Sequence, residues 1–146
     1  MSGRERFLID ILSKYLKVPY IWGGADPEKG LDCSGLVQLI LEKLNLDPPG
    51  DQTAHTLYNY FSTRGEIIER NKSDLGDLCF FGKNGKISHV SFCLGFSLML
   101  ESGGGNSKTT SVEIAKRIGA CVRVKPIFNR TDLVAIIRPK DLIING

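Results

Sequence analysis

Between Glu5 and Leu16 the apolar residues Leu8, Ile11, Leu12 and Tyr15 recur at three- and four-residue spacing, the mark of a helix with one buried face, and Pro19 lies just beyond its end. The stretch Tyr20 to Leu31 holds Gly23, Gly24, Pro27 and Gly30 and reads as a loop. Leu36, Val37, Ile40, Leu41 and Leu44 mark a second helix, with Asp32 as its cap and Cys33 in its first turn. After the break at Pro48-Pro49-Gly50, Ala54, Leu57, Tyr58 and Phe61 predict a third helix that stops near Gly65.

The second half of the chain changes period. Leu78 to Phe81 and Ile87 to Leu94 are short apolar or alternating runs joined by Lys83-Asn84-Gly85-Lys86, and an Asn-Gly pair in that setting predicts a tight hairpin. Further strands are predicted at Leu98 to Glu101, Ala120 to Pro126 and Leu133 to Arg138. Helices first and strands second predict an α+β fold with N-terminal helices packed on a C-terminal antiparallel sheet. Along the Ile87 strand, Val90, Phe92 and Leu94 face one way, and His89, Ser91 and Cys93 the other. The small side chains of that second face predict that a helix approaches it closely, with His89 meeting the start of that helix.

Composition narrows the class. With 146 residues, 42% hydrophobic and 24% charged, the chain suits one soluble domain spanning residues 1–146. A formal charge of +3 falls well short of a nucleic-acid footprint, so no nucleic-acid partner is expected. No apolar run reaches transmembrane length, and membrane insertion is not expected. Arg4, Glu5, Arg6 and Asp10 interrupt the N-terminal segment, which therefore lacks the hydrophobic region of a signal peptide. The expectation is a protein that is cytoplasmic as synthesised, carried outward only by a phage particle, a lysis event or a secretion device.

The candidate chemistry rests on one cysteine and one histidine. None of the four cysteines form a C-x-x-C pair, so free thiols are expected and neither a metal nor an organic cofactor is called for. At a helix start Cys33 would sit beside unpaired N–H groups and the positive end of the helix dipole, which favour a thiolate and can serve as part of an oxyanion hole. The glycine-rich loop before it and its small neighbours Ser34 and Gly35 leave room for a substrate, whereas Cys79 and Cys93, within apolar strands, and Cys121 read as structural. Of the two histidines, His55 reads as a solvated residue on a helix surface, and His89, held in direction by its strand, is the candidate base. Glu101 on the next strand could accept the His89 ring N–H, although spacing alone leaves it equally an exposed acid at a strand end. Trp22 reads as core packing.

The motifs Pro19-Tyr20-Ile21-Trp22-Gly23-Gly24, Asp32-Cys33-Ser34-Gly35, Gly76-Asp77-Leu78 and Ser88-His89-Val90, taken in that order, resemble the NlpC-type family of papain-like cell-wall cysteine peptidases over nearly the whole chain. The resemblance implies a reduced papain-like fold and hydrolysis of an amide bond in peptidoglycan stem peptides, often between γ-linked D-glutamate and the diamino acid, with peptidoglycan or muropeptides as the substrate. It implies Cys33 as nucleophile, His89 as general base and Glu101 at a third catalytic position where relatives often carry His, Asn or Gln. Tyr20 matches a tyrosine that contacts substrate or the oxyanion, and Asp32 and Ser34 match positions that in some members bind a free N-terminal amine. Gln52-Thr53-Ala54 stands where many relatives carry Arg-Thr-Ser/Ala. The Glu101-Ser102-Gly103-Gly104-Gly105 run and the Arg130 to Pro139 ending resemble compact members from phages, which implies a phage-tail or secretion partner. Two other readings are a Cys/His acyltransferase or deamidase acting on another substrate, and a non-catalytic phage-tail or binding module.

Overall fold

The computed structural model describes residues 1–144. Three helices come first, α1 (Gly3–Tyr15), α2 (Cys33–Lys43) and α3 (Ala54–Ser62), with a small hairpin of β1 (Ala25–Asp26) and β2 (Gly30–Leu31) between the first two. There follow β3 (Gly65–Ile67), β4 (Leu78–Lys83), β5 (Lys86–Gly95), β6 (Leu98–Gly103), α4 (Val112–Ile118), β7 (Cys121–Pro126) and β8 (Leu133–Pro139). Six strands make one antiparallel sheet in the order β3-β8-β4-β5-β6-β7. This is the α+β arrangement that the change of period predicts.

Each helix start has a side-chain cap. Ser2 accepts the Glu5 N–H, Asp32 accepts the Gly35 N–H, and Thr53 and Thr56 satisfy one another's backbone donors in a capping box. Helix α2 buries Leu36, Val37, Ile40 and Leu41 completely and is the central helix. The Asn84-Gly85 turn has both residues at positive φ (+53° and +76°), as a two-residue hairpin requires.

The sheet departs from expectation in which face the helices cover. Val90 and Phe92 join Leu78, Phe80, Leu100 and Val122 in one core with α1, α2 and α3. On the opposite face Cys93 packs with Cys79, Phe81, Met99, Ile127 and Ile136, with no helix of the main group among them. That face is covered by the connection between β7 and β8. Ile127 donates its N–H to the Ser97 carbonyl, and Asp132 accepts the Gly82 N–H, so the connection crosses from the β5–β6 turn to β4. Along β5 it is the larger side chains, Val90 and Phe92, that meet the helices, because they bury more apolar area than Ser91 and Cys93.

Sequence periodicity missed β3 and α4. Helix α4 has only seven residues and a single buried one, Ala115, so it carries no apolar stripe. Its punctuation was present: Ser111 caps it by accepting the Ile114 N–H, and Gly119 closes it in the left-handed region at φ +72°. Among the described residues no helix is long and apolar enough to cross a membrane.

The end of the chain is fastened to the middle by a buried ion pair. Asp77, wholly inaccessible, receives Arg138 Nε at 2.8 Å and Nη2 at 3.0 Å and also caps the Asp74 N–H at 2.9 Å. Removing one partner strands the other, so Arg138→Met is expected to cost roughly 2–4 kcal/mol, because Arg138 is itself part-exposed and the full loss of a buried pair is about 3–5. Urea unfolding followed by circular dichroism measures this, and a loss under about 0.5 kcal/mol would mean that the pair does not hold the β8 end.

Candidate active site

Cys33 is the first residue of α2, and the start of that helix is pinned from two sides. Asp32 Oδ1 accepts the Gly35 N–H at 2.7 Å and the Ser34 hydroxyl at 3.2 Å. Gly24 accepts the Asp32 N–H, and Gly35 lies so close to the Gly24 carbonyl that any Cβ there would collide with it. This fixes why glycine follows Cys-Ser. Among the described residues no protein acceptor takes the Cys33 or Ser34 N–H, which leaves both as free donors at the helix start.

His89 approaches from β5. It sits opposite Phe81 in the β4–β5 register, with ring centroids 5.6 Å apart, and lines the same cleft as Cys33. Its Nε2 lies 2.8 Å from Glu101 Oε1, so Nδ1 is the ring nitrogen that Glu101 leaves unused. The β5–β6 register, Cys93 with Met99 and Phe92 with Leu100, puts Glu101 diagonally across from His89, within reach of long side chains. Glu101 is 2% exposed, which removes the reading of an ordinary surface acid.

One participant escaped the sequence reading. Arg123 is the direct register partner of Glu101 on β7, and its Nε donates to Glu101 Oε2 at 2.9 Å. The signal available was position: both lie on predicted strands, and only the β6–β7 register, which sequence does not supply, makes them neighbours. Burial alone would raise the Glu101 carboxyl, but His89 and Arg123 outweigh it and hold it below its ordinary value. Burial likewise works against the charged form of His89, yet the neighbouring Cys33 and Glu101 prevail and push its pKa up to about 9.

Cys33 and His89 open into a cleft of about 560 Å³, lined also by Glu101, Tyr20, Trp22, Gly103 to Asn106, Arg123 and Arg130. Burial, with Cys33 and Asp32 nearby, pushes the Tyr20 phenol up, so it remains a hydrogen-bond donor at neutral pH. Trp22 corrects its expectation: it is 56% exposed on the cleft rim and belongs to no core cluster. Its neighbours Gly23 and Gly24 leave nothing to bury it. Asp32 and Ser34 do not line the cleft; their side chains are committed to each other and to the cap, and burial pushes the Asp32 carboxyl up. His55 is also more than a solvated residue, because its Nδ1 accepts the Ile87 N–H at 3.0 Å and ties α3 to β5.

The sign of the His89 shift gives a test. A folded-state value near 9, above the ordinary imidazole value of 6.5, means that its charged interactions stabilise fully below about pH 6.5 and fade as pH rises through 9. The His89 ring resonance, followed by NMR, is expected to titrate near pH 9 in the native protein and at least about one unit lower in Glu101→Gln. Titration near 6.5 in the native protein contradicts the charged arrangement.

Residues 17–120 match the NlpC/P60 family. A probable endopeptidase of Escherichia coli strain K12, YafL, is 38% identical over 93 residues, covering 62% of this chain and 36% of that protein. The peptidoglycan endopeptidase RipB of Mycobacterium tuberculosis is 32% identical over 125 residues, covering 75% and 48% respectively. The chain thus spans between a third and a half of the length of these curated relatives. The crystal structure of the NlpC/p60 domain of the peptidoglycan hydrolase SagA superposes with a TM-score of 0.65 at 22% identity, over 92% of this chain and 97% of that one, which establishes the shared fold.

Proposed function

The chain belongs to the NlpC/P60 family, and from that premise we propose that it is a cysteine peptidase that hydrolyses an amide bond in peptidoglycan stem peptides. The observation that carries the reading is that Cys33, at a helix start, shares one cleft with His89 and with Glu101, which is hydrogen-bonded to the His89 ring. The relatives named as peptidoglycan endopeptidases support the substrate class.

In this reading Cys33 Sγ attacks the scissile carbonyl carbon as thiolate while His89 carries the proton. The oxyanion that forms is met by the Cys33 N–H and the Tyr20 hydroxyl, donors that need no rearrangement to receive it. Collapse of the tetrahedral species breaks the C–N bond, and His89 Nδ1 passes its proton to the departing amine. Water then attacks the thioester, returns a proton to His89 and releases the carboxylate product and the free thiol. Glu101 holds the ring through Nε2 and compensates the imidazolium charge. The γ-glutamyl to diamino acid bond is the proposed cleavage point.

Digesting muropeptides with the protein and weighing the products by mass spectrometry tests reaction and bond together. Hydrolysis is expected to yield one pair of fragments whose masses sum to substrate plus water. The Cys33→Ala variant is expected to lose on the order of 10³-fold or more in rate, and unchanged cleavage by it would sink the assignment.

A further inference from the structure

The Arg123 guanidinium does more than its bond to Glu101 requires. Only Nε is used there, and among the described residues neither Nη1 nor Nη2 has a hydrogen-bond acceptor. The side chain is 29% exposed and forms part of the cleft wall. Gly103 and Gly104 make its bed: a Cβ built on either would lie 3.3 Å from Nη2 or 3.2 Å from Nη1, so their lack of a side chain lets the guanidinium lie along the loop. Gly104, at φ +85°, also needs a conformation that other residues rarely adopt.

Charge in the cleft points the same way. His89, Arg123 and Arg130 line it, and Glu101 is the only acid among the lining residues. Arg130 spends Nε and Nη2 on Asp132 and stacks over Phe81, so its charge is largely answered. Glu101 is divided between His89 and Arg123. What remains is a cationic wall with two oriented, unanswered donors beside the reacting pair.

We propose that the terminal nitrogens of Arg123 form a subsite for a carboxylate carried by the substrate next to the scissile amide. This rests on the peptidase reading above and adds a selectivity to it. A planar guanidinium fixed at Nε presents its outer edge in a geometry suited to a carboxylate, and a carboxamide in the same place loses the charge. The same side chain therefore positions Glu101 on one edge and selects substrate on the other.

The test measures binding rather than turnover, in a Cys33→Ala background, with two γ-glutamyl peptides that differ only in a free or amidated α-carboxyl group. Titration calorimetry is expected to show the carboxylate form binding at least about tenfold tighter. Adding Arg123→Gln is expected to remove that preference, and adding Arg123→Lys, which keeps the charge but not the fork, to leave a reduced one. Any disturbance of Glu101 falls on both peptides alike and cancels in the ratio, and the lysine variant serves if the glutamine variant folds poorly. An undiminished preference in both variants, or no preference in the Cys33→Ala protein, overturns the subsite while leaving the peptidase reading standing. Failure of both peptides to bind overturns both readings.

Discussion

The Glu101 carboxylate is the point on which the rest of the site hangs. A carboxylate this deeply buried is sustained only when its oxygens are paired, and each has one partner: Oε1 faces His89 Nε2 and Oε2 receives Arg123 Nε. Those partners come from the two strands flanking β6, one directly opposite and one diagonal. The sheet register is thus written into the chemistry. A one-residue slip of β6 would send Glu101 to the helix-covered face and leave His89 without an orienting group.

Cys33 reaches the same place by an unrelated route. It depends on the cap at Asp32 and on the near contact of Gly35 with the Gly24 carbonyl, which together fix the helix start relative to the loop before it. Ser102 reinforces this from the sheet, donating its hydroxyl to the Leu31 carbonyl two residues before Cys33. The other thiols have no comparable setting. Cys79 and Cys93 lie 3.4 Å apart, fully buried on the far face, where contact with Cys93 and burial push the Cys79 thiol well up. The four chemically equal thiols are therefore set in different environments, Cys33 at a helix start on the cleft and Cys79 and Cys93 buried on the far face.

The connection between β7 and β8 has a double role. It seals the apolar back of the sheet with Ile127, and the same stretch carries Arg130 over Phe81 to the mouth of the cleft. Packing and substrate-facing charge are coupled in that segment, since Asp132 both pairs with Arg130 and accepts the Gly82 N–H.

The sequence by itself determined the three long helices, the main strands and the Asn-Gly hairpin, because periodicity, caps and turn residues are local properties. It also singled out two residues that the fold brings into one cleft: a capped helix start marks Cys33, and strand direction marks His89. Local pattern was weak for α4, with one buried residue, and for β3, whose three residues are all exposed. Which face of β5 met the helices, the exposure of Trp22, and the joining of Arg123 to Glu101 were decided only by tertiary structure. Each depends on which strands become neighbours and in what register, and that is settled by burial summed over the whole sheet rather than by any stretch of the chain.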